Sequence, residues 1–307
     1  MAAKPNKKLR MSAVRKYGFL TALFIVPFVH FAIFWVYLNI YGIQLAFQVQ
    51  LADRTVVWSL ANFQSLFLSI SNPGSTFWLA LKNTSLYWFT MSVAVYILAL
   101  FIAFFMFKKI RGYKAYRFIF YVPSLLAPTI LVVIFQQTIA LNGPVGKLFE
   151  ILNIKHVPFL GSQKYAIWTC LFYSAFFGFG ASLLILSGAM SQVNAELIDA
   201  AKIDGAGLFT EMFRIVIPIV WPTVSASLIA SIAGFFSASG PILLLTGGNF
   251  GTRTISFWIW EQTMDGAYNY PAAIGLFFAL LSLPLVFFSR WLMKRMVASA
   301  ANEEAQG

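Results

Sequence analysis

Four carboxylates, Glu196, Asp199, Asp204 and Glu211, fall within residues 191–217, where only Lys202 and Arg214 oppose them. In a chain of net charge +12 this is a local reversal of sign. Self-sufficient chemistry would need other arrangements. A membrane hydrolase would carry an Asp/Asp or Ser/His pair, or an HExxH string, inside an apolar segment, and the sequence has none. Carriers driven by protons or sodium embed Asp, Glu, His or Lys near the midplane of the bilayer. Here the apolar segments hold only His30, expected as a hydrogen-bonded packing residue, with Arg117 and Arg290 near cytoplasmic ends. ATP hydrolysis would need G-x-x-x-x-G-K followed by Ser or Thr. The nearest string, Gly143-Pro144-Val145-Gly146-Lys147, has the wrong spacing. A driven process would therefore draw on a separate ATPase, and the acidic segment is the candidate docking point.

Its local order supports that use. Asn194 is placed to cap a helix. Glu196 and Asp199 then fall in the first turns, where the helix dipole favours negative charge. Ala200 and Ala201 leave one face nearly bare, so a partner's surface could approach the backbone. Gly205 can take the left-handed conformation that ends a helix. Beyond it Leu208, Phe209, Met212, Phe213 and Val216 recur at helical spacing, with Glu211 and Arg214 elsewhere on the wheel. Pro218 and Pro222 then open a long apolar segment. Helix, turn, second helix and abrupt insertion would form a rigid connection between a cytoplasmic partner and the membrane.

The elements that carry this segment follow from composition. Of 307 residues, 60% are hydrophobic and 10% charged, with mean hydropathy +0.77; soluble domains carry roughly 25% charged residues. Six segments reach the ~20 apolar residues a spanning helix needs: roughly 17–41, 84–107, 116–140, 165–190, 218–244 and 272–292. The expected fold is an all-α membrane protein with both termini cytoplasmic. A basic tail (1–16) precedes a six-helix domain (17–297), and a polar tail (298–307) follows. With the N-terminus inside, sixteen of the 22 Lys and Arg residues lie on the cytoplasmic side, including Lys108, Lys109, Arg111, Lys114 and Arg117 between the second and third spans. That bias explains the basic charge without nucleic acid. Cys170 stands alone in an apolar run, which excludes a disulfide framework and a Cys-based metal site.

The acidic segment also carries a family resemblance. Asp199-Ala200-Ala201, three residues, Gly205, nine residues, then Ile215-Val216-Ile217-Pro218 resembles the EAA signature of permease subunits in binding-protein-dependent ABC importers. Asp199 stands where the family usually has Glu, and Ile217 where it usually has Leu. Ile203-Asp204-Gly205-Ala206 is similar to the carbohydrate branch, the maltose and glycerol-phosphate type. Phe77-Trp78 with Lys82-Asn83-Thr84, Tyr116-Arg117 with Val122-Pro123, and Thr246-Gly247-Gly248 resemble further family strings; Asn249 replaces the third Gly of the last. The resemblance implies half of a pore in a bacterial-type plasma membrane. A second, usually non-identical, permease would complete the pore. Two ATPase subunits would use ATP and Mg, and an extracytoplasmic solute-binding protein would deliver the solute. It also implies that Glu196–Gly205 is a coupling helix seated in the ATPase, with Asp199 meeting a basic group or backbone donors, and that this chain itself binds no cofactor and is not an enzyme.

For the solute, small residues recur at helical spacing in the fourth and fifth spans, a pattern that serves helix packing or a pore lining. Asn83, Tyr173 and Ser231 are the candidate contacts for a polyhydroxylated solute. A reading of another class remains beside these: a self-sufficient six-helix channel or facilitator in which 191–217 is only structural.

Overall fold

In the computed structural model, residues 7–304 are described except 52 and 54, with side chains described for residues 17–295 apart from those two. Among them, six helices are long and apolar enough to cross a membrane: Tyr17–Ala46, Thr76–Phe107, Pro128–Ile151, Ala166–Met190, Leu208–Ala233 and Asn269–Arg295. The described residues fall into two compact units, one running to Phe67 and including Gly266–Leu276, the other Leu68–Asp265 with the chain from Phe277 onward.

In the first unit the opening span passes through a π-helical stretch, Ala32–Tyr37, and ends at Ala46. Helix ends leave carbonyls without intrahelical donors. Here two asparagines supply them. Asn62 Nδ2 donates to Ala46 O (3.0 Å) and Gln48 O (2.8 Å), and Asn269 Nδ2 donates to Leu45 O (3.2 Å) and Gln48 O (2.8 Å). A short antiparallel ribbon follows, with Gln48 opposite Trp58 and Gln50 opposite Val56. His30 lies exposed with its ring 4.7 Å from Phe34; among the described residues it makes no packing hydrogen bond, contrary to the expectation.

The second unit is built on the second and fourth spans. Small residues let them approach: Ala99 and Ala103 of Thr76–Phe107 are fully buried beside Leu183 and Leu186 of Ala166–Met190. The same cluster continues through Met190, Val193, Ile198, Met212 and Val216, so the acidic segment is an extension of the core. A second cluster gathers Tyr87, Leu131, Phe135, Tyr173, Ile242 and Phe257, with Cys170 buried in it as packing.

Several boundaries differ from the sequence expectation. The third crossing is two helices, Tyr113–Leu125 and Pro128–Ile139, because Leu126 and Ala127 are extended (ψ 149° and 132°). Pro128 pushes its predecessor out of the helical region. The apolar run Pro128–Ile151 is itself interrupted, since Ala140 is extended before a turn leads into Pro144–Ile151. The fifth span, expected to run to residue 244, leaves the helix at Gly234. A 3-10 turn at Phe235–Ser237, an extended stretch and a one-turn helix, Ile242–Leu245, follow. The first helix begins at Lys7 and the last runs to Glu304, so helix occupies residues 7–16 and 298–304, expected as tails; residues 1–6 and 305–307 lie outside the described residues.

Candidate functional site

The acidic segment forms a compact elbow. Asn194, in extended backbone, accepts a hydrogen bond from Glu196 N–H (3.0 Å), and the helix Ala195–Ile203 follows. At its far end Gly205 takes φ +79°. Gly205 N–H donates to Lys202 O (3.1 Å) and Ala206 N–H to Ala201 O (2.9 Å), the paired closure that satisfies the last carbonyls. Cap, helix and glycine stop thus stand where the sequence placed them.

The faces differ from expectation in one respect. Ala200 is exposed, but Ala201 is buried, and with Ile198 it turns toward the core. What this segment offers outward includes Glu196, Leu197, Asp199, Ala200, Lys202, Ile203 and Asp204, with Ile203 at 87% exposure. Lys202 Nζ donates to Asp199 Oδ1 at 2.7 Å. That hydrogen bond holds the Asp199 carboxyl below the usual carboxylate range and the Lys202 ammonium above its own. Its contribution is present at neutral pH and lost on acidification, and both groups are fully exposed.

The second helix of the elbow is not a separate element. Leu208–Thr210, a π-helical stretch Glu211–Val216 and Ile217–Ala233 form one continuous run. Pro218 lies in its course and no break precedes it. The wider π turn shifts the register. Met212 and Val216 are buried as expected, but Leu208, Phe209 and Phe213 are exposed, and Glu211 points inward at 3% exposure. Ile215 is half-buried. Glu211 pairs with Lys108, which caps the second span's helix at its end. Sequence reasoning missed this ion pair. Its partners lie 103 residues apart, and local periodicity placed Glu211 on the polar side.

The three solute candidates are not brought together. Asn83 is buried, and its amide donates to Gly251 O and Arg253 O, both at 2.8 Å. It holds the loop after the fifth span and has no hydrogen left for a solute. Tyr173 is buried, edge-on to Phe135 (ring centroids 5.2 Å apart) and tilted against Phe177 (4.8 Å), with its hydroxyl donating to Pro128 O at 3.4 Å. Ser231 donates to Leu228 O (2.8 Å) and its carbonyl accepts from Trp88 Nε1 (3.0 Å). Each of the three is held by contacts within this chain.

What the sequence did not show is the broken stretch Gly234–Pro241. Ser237 and Ser239 are exposed there, the latter 2.8 Å from Thr254 Oγ1. Gly240 is required, since a Cβ would meet Ser174 Oγ and the Tyr87 ring below 3 Å. The loop that follows is tightly made. Gly247 and Gly248 take φ +59° and +77°, and a Cβ on Gly248 would fall 2.2 Å from the Phe257 ring. Asn249 needs no glycine: its backbone is not left-handed, and its amide donates to Thr246 O (3.1 Å). Arg253 closes the loop on Glu261 with two hydrogen bonds, 2.7 and 2.9 Å.

Six helices long and apolar enough to cross a membrane, among the described residues, and a core-anchored elbow define a multi-pass membrane protein. Residues 96–299 match the family described as the inner membrane component of binding-protein-dependent transport systems, and the chain belongs to that family. It is 24% identical to the probable ABC transporter permease protein YesP of Bacillus subtilis over 275 residues, covering 88% of this chain and 85% of that one. It is 26% identical to the arabinooligosaccharides transport system permease protein AraP of the same organism, covering 87% and 86%. Its fold matches a chain of a bacterial alginate ABC transporter in complex with alginate pentasaccharide-bound periplasmic protein, with TM-score 0.79, 21% identity and coverage of 93% and 97%. The chain is a multi-pass inner-membrane protein of the permease fold.

Proposed function

We propose that this chain forms half of the translocation pore of an ATP-driven importer for a carbohydrate, and that Ala195–Ile203 is its docking helix for a separate ATPase. The relatives' names support the solute class: AraP is named for arabinooligosaccharides and a further B. subtilis relative, 25% identical, for polygalacturonan and rhamnogalacturonan. The observation that carries the coupling role is the elbow itself. Its inner face (Ile198, Met212, Val216) is core, while Leu197, Ile203 and Phe209 stay exposed beside Asp199 and Lys202. Exposed apolar side chains next to an acidic rim suit a protein partner. The elbow and both termini then lie in the cytoplasm, as the basic residues indicate. A second permease completes the pore, two ATPase subunits bind ATP and Mg beneath it, and an extracytoplasmic binding protein delivers the solute to the outer loops.

On this reading the solute passes the broken stretch Gly234–Pro241. Backbone that leaves the helix within a membrane is tolerated where it is buried in protein or lines a water-filled cavity. The exposed serines there provide hydroxyls for a sugar.

Co-expression with and without the ATPase tests the assignment. The ATPase co-purifies with the wild-type chain, and flux requires ATP. Gly205→Asp abolishes association and leaves membrane insertion intact. Space around Gly205 is open and Asp tolerates left-handed backbone better than most residues, but φ +79° strains any side chain, so an unchanged unfolding temperature of the variant assigns the loss to the docking face. ATP-independent flux from this chain alone, or normal co-purification of the variant, would overturn the proposal. A cysteine placed in loop 246–252 reacts from outside; reaction from inside would reverse the orientation.

A further inference from the structure

We propose that the cleft between the second, third and fourth spans binds one anionic phospholipid of the inner leaflet, phosphate at its mouth and acyl chain along its floor. The inference rests on the cytoplasmic orientation of the elbow given above. The mouth is a cavity of about 410 Å³ beside the start of the elbow, and Lys109, Tyr113, Arg117, Ser187 and Ser191 line it. Among the described residues no carboxylate pairs with Lys109 or Arg117. Of the acids of the elbow, Glu211 is committed to Lys108 and Asp199 to Lys202, while Glu196, next to the lining residue Ala195, accepts from Asn194 Nδ2 at 3.3 Å. Arg117 lies over the Tyr121 ring, 5.5 Å from its centroid. The Ser187 hydroxyl is buried without a hydrogen-bond partner. Lys109 has φ +52°, so a lysine stands where backbone geometry favours glycine. Two cations and an unpaired hydroxyl make a receptor for a phosphate group.

A free anion would need nothing more, but an apolar cavity lies close by. A second cavity of about 300 Å³ lies between the same three spans, lined by Leu98, Ile102, Ile119, Phe120, Phe172 and Phe176. Ile102 lines it while the next residue, Ala103, lines the mouth. From Leu98 to Met106 is a rise of roughly 12 Å along the helix. A mouth that carries two cations beside an apolar cavity suits a phospholipid, and basic pockets on the cytoplasmic side suit anionic headgroups.

The test is native mass spectrometry of the full-length chain in its assembled transporter, titrated with phosphatidylglycerol, phosphatidylcholine and inorganic phosphate. One phosphatidylglycerol per chain is retained over phosphatidylcholine, and millimolar phosphate does not displace it. The double variant Lys109→Gln/Arg117→Gln weakens retention roughly ten- to thirtyfold. Arg111→Gln/Lys114→Gln removes the same charge from the same connection, away from the cavity lining, and leaves retention unchanged. Ile102→Trp, which obstructs the apolar floor, weakens retention with every cation in place, and decides the matter should the double variant fail to assemble. Unchanged retention in the variants, equal losses from Arg111→Gln/Lys114→Gln, or displacement by phosphate would each overturn the lipid site. Should the ATPase fail to associate, the functional proposal falls, while lipid retention is still read on this chain alone.

Discussion

At the scale of single residues, the Glu211–Lys108 pair adds a charged contact to the apolar packing that joins the elbow to the second span. Both side chains are largely removed from water, at 3% and 15% exposure. Removing one member of such a pair leaves the other charge uncompensated, at a cost of about 3 kcal/mol. Glu211→Gln should therefore lower the midpoint of thermal unfolding in detergent markedly. Lys108→Met combined with Glu211→Gln should recover part of the loss, because no buried charge then remains. A double-mutant cycle with no coupling between the positions would contradict the pairing. The acid was visible in the sequence, but its inward direction was not. It depends on a π-helical stretch that spacing at 3.6 residues per turn does not reveal.

Among elements, the loop 246–253 illustrates what sequence shows and what it hides. Thr246-Gly247-Gly248 was legible as a family string, and both glycines take the left-handed conformations that require them. Asn83, in a polar string at the start of the second span, read as a candidate solute contact. Its two amide hydrogens belong instead to Gly251 and Arg253 carbonyls, a pairing about 170 residues distant in the chain that no local pattern encodes. Asn83→Ala leaves those acceptors short of donors, which should cost about 1–3 kcal/mol. Unfolding temperature should fall while the ranking of transported solutes stays the same. A changed ranking with unchanged stability would restore Asn83 to the pathway. The helix Ala195–Ile203 was legible almost to the residue, because its cap, its acids and its glycine stop are all local signals.

For the molecule as a whole, six crossings were readable from apolar length alone. The two breaks within them were less so. Pro128 marks the first, and the extended residues before it follow from proline sterics. The second begins at Gly234 and ends at Pro241, in a sequence that stays apolar through Leu245, so hydropathy carried the fifth span too far. If the solute passes this break, Ser237→Cys in the assembled importer should react with a membrane-impermeant thiol reagent and be protected by the transported sugar. Cys170 is buried and gives no background. Leu285→Cys, exposed on the last span, should not react. An unreactive Ser237→Cys would move the route elsewhere.

The unbroken run from Leu208 to Ala233 has a mechanical corollary. Its 26 residues make a stiff strut of about 39 Å, anchored near one tip by Glu211 and released at the other into loosened backbone. A swing of some ten degrees about that anchorage would sweep the distant tip through an arc of several ångströms, on the scale of a sugar ring. Amplification of that kind follows from the length of the run beyond its π-helical stretch, Glu211–Val216.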